Sequence, residues 1–175
     1  LYADKLPGSQ QDLSSLYQLL VVKPETAIYQ KSQFTLLHDP TTAKFREAMT
    51  EWVIKEAHYR RILVLYFSGH ALILPSGDLG LCFVDTRKLP DRDVAIVTTL
   101  VPFSEILQAV ASVPADPIFI LDTCYSGKAI NEIEGSFLKI KRDIQAETGS
   151  TYILFASCKG GEESLADDRG SLFSQ

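Results

Sequence analysis

Basic residues are scarce in this chain: 17 Lys and Arg stand against 22 Asp and Glu, giving a net charge of −5. Nucleic-acid backbones are held mainly by clustered cations, so a nucleic-acid partner is not expected. Long apolar runs are also lacking. The longest, such as Ile62 to Phe67, fall far short of the roughly 20 residues that a membrane helix needs, so no membrane partner is expected. No charged start leads into an apolar core and a small-residue cleavage site, which leaves export without support. The three cysteines, Cys82, Cys124 and Cys158, are odd in number and widely separated, with no Cys-x-x-Cys and no ligand spacing to His. That pattern speaks against a disulfide framework and against a structural metal site. A reduced, cytoplasmic setting is the expectation. Internal repeats and low-complexity tracts are absent as well.

What is present suits one globular domain over residues 1–175, 46% hydrophobic and large enough to bury a core. Leu1 is not a start methionine, so the chain reads as a piece of a longer protein. Four short runs are apolar almost throughout: Phe34 to Leu37, Ile62 to Phe67, Ile118 to Leu121 and Tyr152 to Ala156. Their lack of alternation predicts strands covered on both faces, as in a parallel sheet. Helical patterns lie between them. Asp39 and Pro40 read as a cap and first-turn pair, followed by Phe45, Met49, Trp52 and Val53 on one stripe. Phe103, Ile106, Leu107 and Val110 form a second apolar face, and Leu13, Leu16, Leu19 and Leu20 a third within Asp12 to Leu20. Alternating strands and helices imply α/β architecture, a mostly parallel sheet with helices on both faces as a three-layer sandwich. Pro75-Ser76-Gly77-Asp78 between apolar flanks predicts a hairpin from Leu72 to Val84. Lys128 to Gly149 is polar and charged, and reads as a surface excursion.

In open α/β sheets, ligands bind beyond the carboxyl ends of the strands. The run Ile62 to Phe67 empties into Ser68-Gly69-His70-Ala71, and Ile118 to Leu121 into Asp122-Thr123-Cys124-Tyr125-Ser126-Gly127. One strand end offers an imidazole and the other a thiol. A neighbouring imidazolium is what turns a thiol into a thiolate at neutral pH, so His70 and Cys124 together make a nucleophilic pair. Gly69 and Gly127 are read as permitting sharp turns and close backbone approach after the strands. Cys82 and Cys158 lack such a context and read as small buried hydrophobes. His38 and His58 read as surface or helix-end residues.

The two strand-end motifs, Tyr-Phe-Ser-Gly-His and Ile-Leu-Asp-Thr-Cys-Tyr-Ser-Gly, resemble the caspase/metacaspase superfamily of clan CD, and its metacaspase-like bacterial-type branch more than animal caspases. The histidine and cysteine lie 54 residues apart, near the roughly 50 of caspases. Leu6 to Asp12 is similar to the family's first loop and helix start, and Ala156 to Phe173 to the region after the nucleophile, so the resemblance spans nearly the whole chain. By this resemblance the first core strand and the closing helix lie outside the sequence. It implies a cysteine endopeptidase with Cys124 as nucleophile, His70 as acid/base, and the backbone N–H groups of Ala71 and Cys124 as oxyanion hole. The family usually has Gly where Ala71 stands, and many members have His where Tyr125 stands.

The resemblance further implies that Asp12, Ser68 and Asp122 bind Arg or Lys before the cleaved bond. A cation there would neutralise two carboxylates that otherwise repel each other. Each acid also has a plainer reading, Asp12 as a helix cap and Asp122 as a turn cap. Self-cleavage near Lys139, Lys141 and Arg142 follows from the same resemblance. Some metacaspases need calcium, but Asp167 and Asp168 are read here as solvated carboxylates, and no metal or other cofactor is predicted. The expected partners are a protein or peptide substrate and regulatory domains outside this sequence. Two other readings stand beside this one: a catalytically silent caspase-like interaction module, hinted at by Ala71, and a legumain- or gingipain-like peptidase of other specificity.

Overall fold

A computed structural model of the chain describes residues 9–56, 61–90, 94–125, 142, 153–156, 166–167 and 170–171. The first helix, α1, spans Ser9–Tyr17 and runs on into a π-helical turn, Gln18–Val22. It starts three residues earlier than its leucine pattern predicts. The wider π turn rotates the end of that pattern, leaving Leu13, Leu16 and Leu20 half-buried while Leu19 is exposed. The apolar run at 34–37 forms no strand. It follows a 3₁₀ turn, Lys31–Gln33, and pairs with no other strand among the described residues, its Phe34 ring instead meeting Tyr17 edge-on at 5.1 Å. A strand needs a neighbour for its N–H and C=O groups, whatever its side chains favour.

Helix α2, Thr42–Glu56, follows its predicted stripe but begins differently. Asp39 takes a left-handed φ of 43° and Pro40 precedes the cap, whose side-chain oxygen comes from Thr41, accepting the Lys44 N–H at 3.2 Å. Asp39 and Pro40 are therefore not the cap and first-turn pair. A carboxylate also reaches this end from a distant loop: Asp85 accepts the Thr42 N–H at 2.9 Å and the Thr42 hydroxyl at 2.8 Å. Desolvation pushes the Asp85 carboxyl up, but the two bonds from Thr42, with Arg46 nearby, outweigh it and hold the pKa below its ordinary value of 3.8. Asp85→Ala should therefore cost about 1–2 kcal/mol at neutral pH, as loss of a helix cap does. Because the folded pKa is the lower one, the wild type's margin is full above about 3.8 and vanishes as pH falls through the folded value. Denaturant titrations of both proteins at pH 7 and in strong acid check this, and a margin that survives the acid contradicts it.

Strand β1 spans Arg61–Ile73 and turns into β2, Leu79–Leu81, with Gly77 at a φ of 77° in the predicted hairpin. Strand β3 is Val101–Pro102, and α3, Phe103–Ala111, follows directly. Pro102 has no side chain with which to cap that helix, and Asp78 from the hairpin does so. Its carboxylate accepts the Ser104 hydroxyl at 2.6 Å, the Ser104 N–H at 3.3 Å and the Leu79 N–H at 2.8 Å. Strand β4 is Ala115–Tyr125 and β5 Ile153–Ala156. The main sheet has the order β3-β2-β1-β4-β5, with β1, β4 and β5 parallel and the hairpin side antiparallel. A separate short pair joins β6, Ala166–Asp167, to β7, Gly170–Ser171.

Alternation along β1 and β4 separates two faces. Leu63, Leu65 and Phe67, with Phe119 and Leu121, face a core built by α2 and α3, where the Phe103 and Phe119 rings meet edge-on at 5.1 Å. Arg46 forks onto Glu105 at 2.7 and 2.9 Å and ties α2 to α3 at the rim. Val64, Tyr66, Ser68 and His70 therefore occupy the other face of the sheet, where α1 lies against β1. Helices cover both faces, as the run of strands and helices implies. Among the described residues no helix is long and apolar enough to cross a membrane.

Candidate active site

Strand β1 does not stop where its apolar run stops. It continues through Ser68, Gly69 and His70 to Ile73, held on one side by β4 and on the other by β2. Gly69 thus sits inside a strand, not at the sharp turn that the sequence suggests. Its lack of a side chain serves packing instead, because a Cβ there would come within 2.8 Å of the Phe67 ring. Gly127 lies outside the described residues.

The register between β1 and β4 sets the site. Ser68 pairs with Asp122, and His70 with Cys124 two residues further on. Adjacent strands run about 4.8 Å apart, and register partners share a face, so imidazole- and thiol-bearing positions are direct neighbours. His70 is half-buried, and its carbonyl accepts the Cys82 N–H at 2.9 Å from the β2 side. Backbone groups alternate along a strand, which turns the Ala71 N–H the opposite way, toward β4 and Cys124. Ala71 has no exposed surface and packs into the core. Among the described residues Asp39 is the only non-glycine at positive φ, so Ala71 occupies backbone space open to any L-residue.

Asp12 and Asp122 are each only 4% exposed. The plainer readings of both fail on position: α1 begins at Ser9, so Asp12 lies inside its first turn and is not the cap, and Asp122 lies within β4, not in a turn. The two acids converge on Tyr66. Burial pushes the Tyr66 phenol well above its ordinary pKa, and the charges of Asp122 and Asp12 push it further. The phenol lies close to Ser68 and Asp122, yet its buried oxygen has no hydrogen bond of acceptable geometry. Tyr66 escapes the sequence reading, although its spacing of two from Ser68 and four from His70 puts it on their face.

Cys82 keeps its structural reading: it is buried, and burial raises its thiol pKa to about 12, far from a thiolate at neutral pH. Cys158 lies outside the described residues, as do Lys139 and Lys141, while Arg142 is exposed. Asp168 also lies outside them, and no group of three His, Cys, Asp or Glu among the described residues is placed to hold a metal ion.

Thr123, beside Cys124 on the core face, is 1% exposed and its hydroxyl has no partner among the described residues. An unsatisfied buried hydroxyl is a cost that an isosteric methyl removes, so Thr123→Val should stabilise the fold by about 1 kcal/mol. Thermal melting checks this; a lower midpoint in the variant counts against it.

The family model described as the caspase domain matches residues 2–175 of the chain. Neither a curated protein nor a solved structure gives a match.

Proposed function

Because the chain belongs to the caspase-domain family, a family of clan CD cysteine peptidases, we propose that it is an endopeptidase in which Cys124 and His70 form a catalytic dyad and the bond after Arg or Lys is cleaved. The observation that carries this reading is the register. One rung of the β1–β4 ladder brings His70 beside Cys124, and the rung two residues upstream brings Ser68 beside Asp122. Chemistry and recognition thus share one pair of strands.

In the proposed mechanism the Cys124 thiolate attacks the scissile carbonyl carbon. The N–H groups of Cys124 and Ala71 receive the oxygen as it gains charge, a contribution worth about 10²–10³ in rate per donor. His70 gives its proton to the leaving amine, and the C–N bond breaks to leave an acyl-enzyme. The same imidazole then takes a proton from water, whose oxygen attacks the thioester and frees Cys124. The negative φ of Ala71 supports its place in this scheme. An alanine at this φ keeps the N–H donor that a glycine would supply.

Selectivity follows from two buried carboxylates, Asp12 and Asp122. Like charges in one low-dielectric pocket are stabilised by a shared cation, and a guanidinium can serve both through paired N–H donors. A fluorogenic peptide panel tests the reading: peptides ending in Arg or Lys should be cleaved at least about 10²-fold faster than those ending in Asp, the factor expected when a buried charge loses its partner. Faster cleavage after Asp would refute it. A peptidyl-arginine chloromethylketone should alkylate Cys124, and an unlabelled Cys124 would return the silent-module reading.

A further inference from the structure

Tyr66 has a feature that neither the dyad nor the carboxylate pair uses. Its phenol oxygen is buried without a hydrogen-bond partner among the described residues, on the same face of β1 as Ser68 and two residues before the Ser68–Asp122 pair. Buried hydroxyls in folded proteins are nearly always satisfied, so one left open beside a candidate binding pocket calls for a cause. The surroundings supply one. The charges of both Asp122 and Asp12 act on this phenol, Asp122 the more strongly, and both keep it protonated and so a donor. A buried carboxylate drawn toward a substrate cation must keep its second oxygen satisfied, and the Tyr66 O–H lies close to Asp122 with no hydrogen bond of its own among the described residues.

We infer that Tyr66 is a positioning residue of the basic-side-chain pocket, whose O–H donates to Asp122 when the pocket fills and so holds that carboxylate in line with the bound cation. The inference rests on the reading of Asp12 and Asp122 as the site for Arg or Lys. It adds a selectivity among basic residues. A planar guanidinium needs its carboxylate fixed in orientation, whereas an ammonium accepts a rotated one. Tyr66 therefore favours Arg over Lys.

Tyr66→Phe tests this, since it removes one oxygen and keeps the ring. For a peptidyl-arginine substrate KM should rise about tenfold, the loss expected for one charge-assisted hydrogen bond, with kcat changed by less than about twofold. The rise should be smaller for the lysine peptide and absent for a norleucine peptide. In the Cys124→Ala protein, calorimetric titration with a peptidyl-arginine amide should show the same tenfold weakening without turnover. An unchanged KM and Kd for arginine, or an equal loss on norleucine, overturns the inference. So does a lower melting temperature in Tyr66→Phe, because it would mean that the phenol already has a partner in the free protein.

The Asp122→Asn background separates the two levels. If Asp122→Asn leaves arginine cleavage intact, the pocket reading itself fails. If Asp122→Asn loses arginine cleavage while Tyr66→Phe does not, only the role of Tyr66 fails. When both act, Tyr66→Phe added to Asp122→Asn should cost nothing further, since the phenol works through that carboxylate. A persisting tenfold loss in the double variant also overturns the inference.

Discussion

Cys124→Ala and His70→Ala should each lower turnover of a peptidyl-arginine substrate by about 10⁴-fold or more, with the fold intact. In the proposed dyad the two groups act as one unit: a thiol is a poor nucleophile without the imidazole, and the imidazole would have no covalent chemistry of its own. The double variant should accordingly be no worse than either single one, a non-additivity that two independent contributors would not show. Steady-state kinetics on the three variants, beside thermal melts, measures both points. Turnover within tenfold of wild type in either single variant would remove that residue from the dyad. Losses that multiply in the double variant would break the unit apart.

The second large effect is a trade between binding and stability. Asp122→Asn should lower kcat/KM for a peptidyl-arginine substrate by about 10²–10³, since a buried cation would lose one of its carboxylates. The ligand-free protein should at the same time become more stable. Asp12 and Asp122 are both 4% exposed and act on the same phenol, so replacing one by an amide relieves repulsion between them. Activity and melting temperature therefore move in opposite directions. A variant that loses both together would mark Asp122 as a structural acid, and one that keeps its arginine preference would place the recognition elsewhere.

Where side-chain periodicity reflects burial, the sequence predicts the fold well. The stripe through Phe45, Met49, Trp52 and Val53 and the one through Phe103, Ile106, Leu107 and Val110 appear as α2 and α3, both packed on the core. Strand ends were harder, for a physical reason. Apolarity stops at Phe67 and Leu121, but β1 and β4 run on to Ile73 and Tyr125, because a strand is defined by paired backbones and a polar end pairs as well as an apolar one. The run at 34–37 errs the opposite way, apolar enough for a strand but lacking a partner strand among the described residues. Asp12, Ser68 and Asp122 are suggested by family likeness alone; composition cannot tell a pocket acid from a cap, and only their places inside α1 and β4 remove the cap readings of the two acids. Tyr66 is hidden in an apolar run beside Leu65 and Phe67, where a tyrosine reads as an ordinary core residue and only its buried hydroxyl sets it apart.

One strand supplies three of the six candidate-site side chains, at Tyr66, Ser68 and His70, each two residues from the next. That spacing of roughly 6.6 Å per step is a property of extended backbone, not of any side chain. Reach from anchoring point to reacting bond is consequently ruler-like, and evolution can exchange the marks on the ruler but not slide them. Deleting Phe67 would turn the marks upstream of it, Tyr66 among them, onto the oily face of the opposite layer. New preferences in such a domain must arise by replacing residues where they stand.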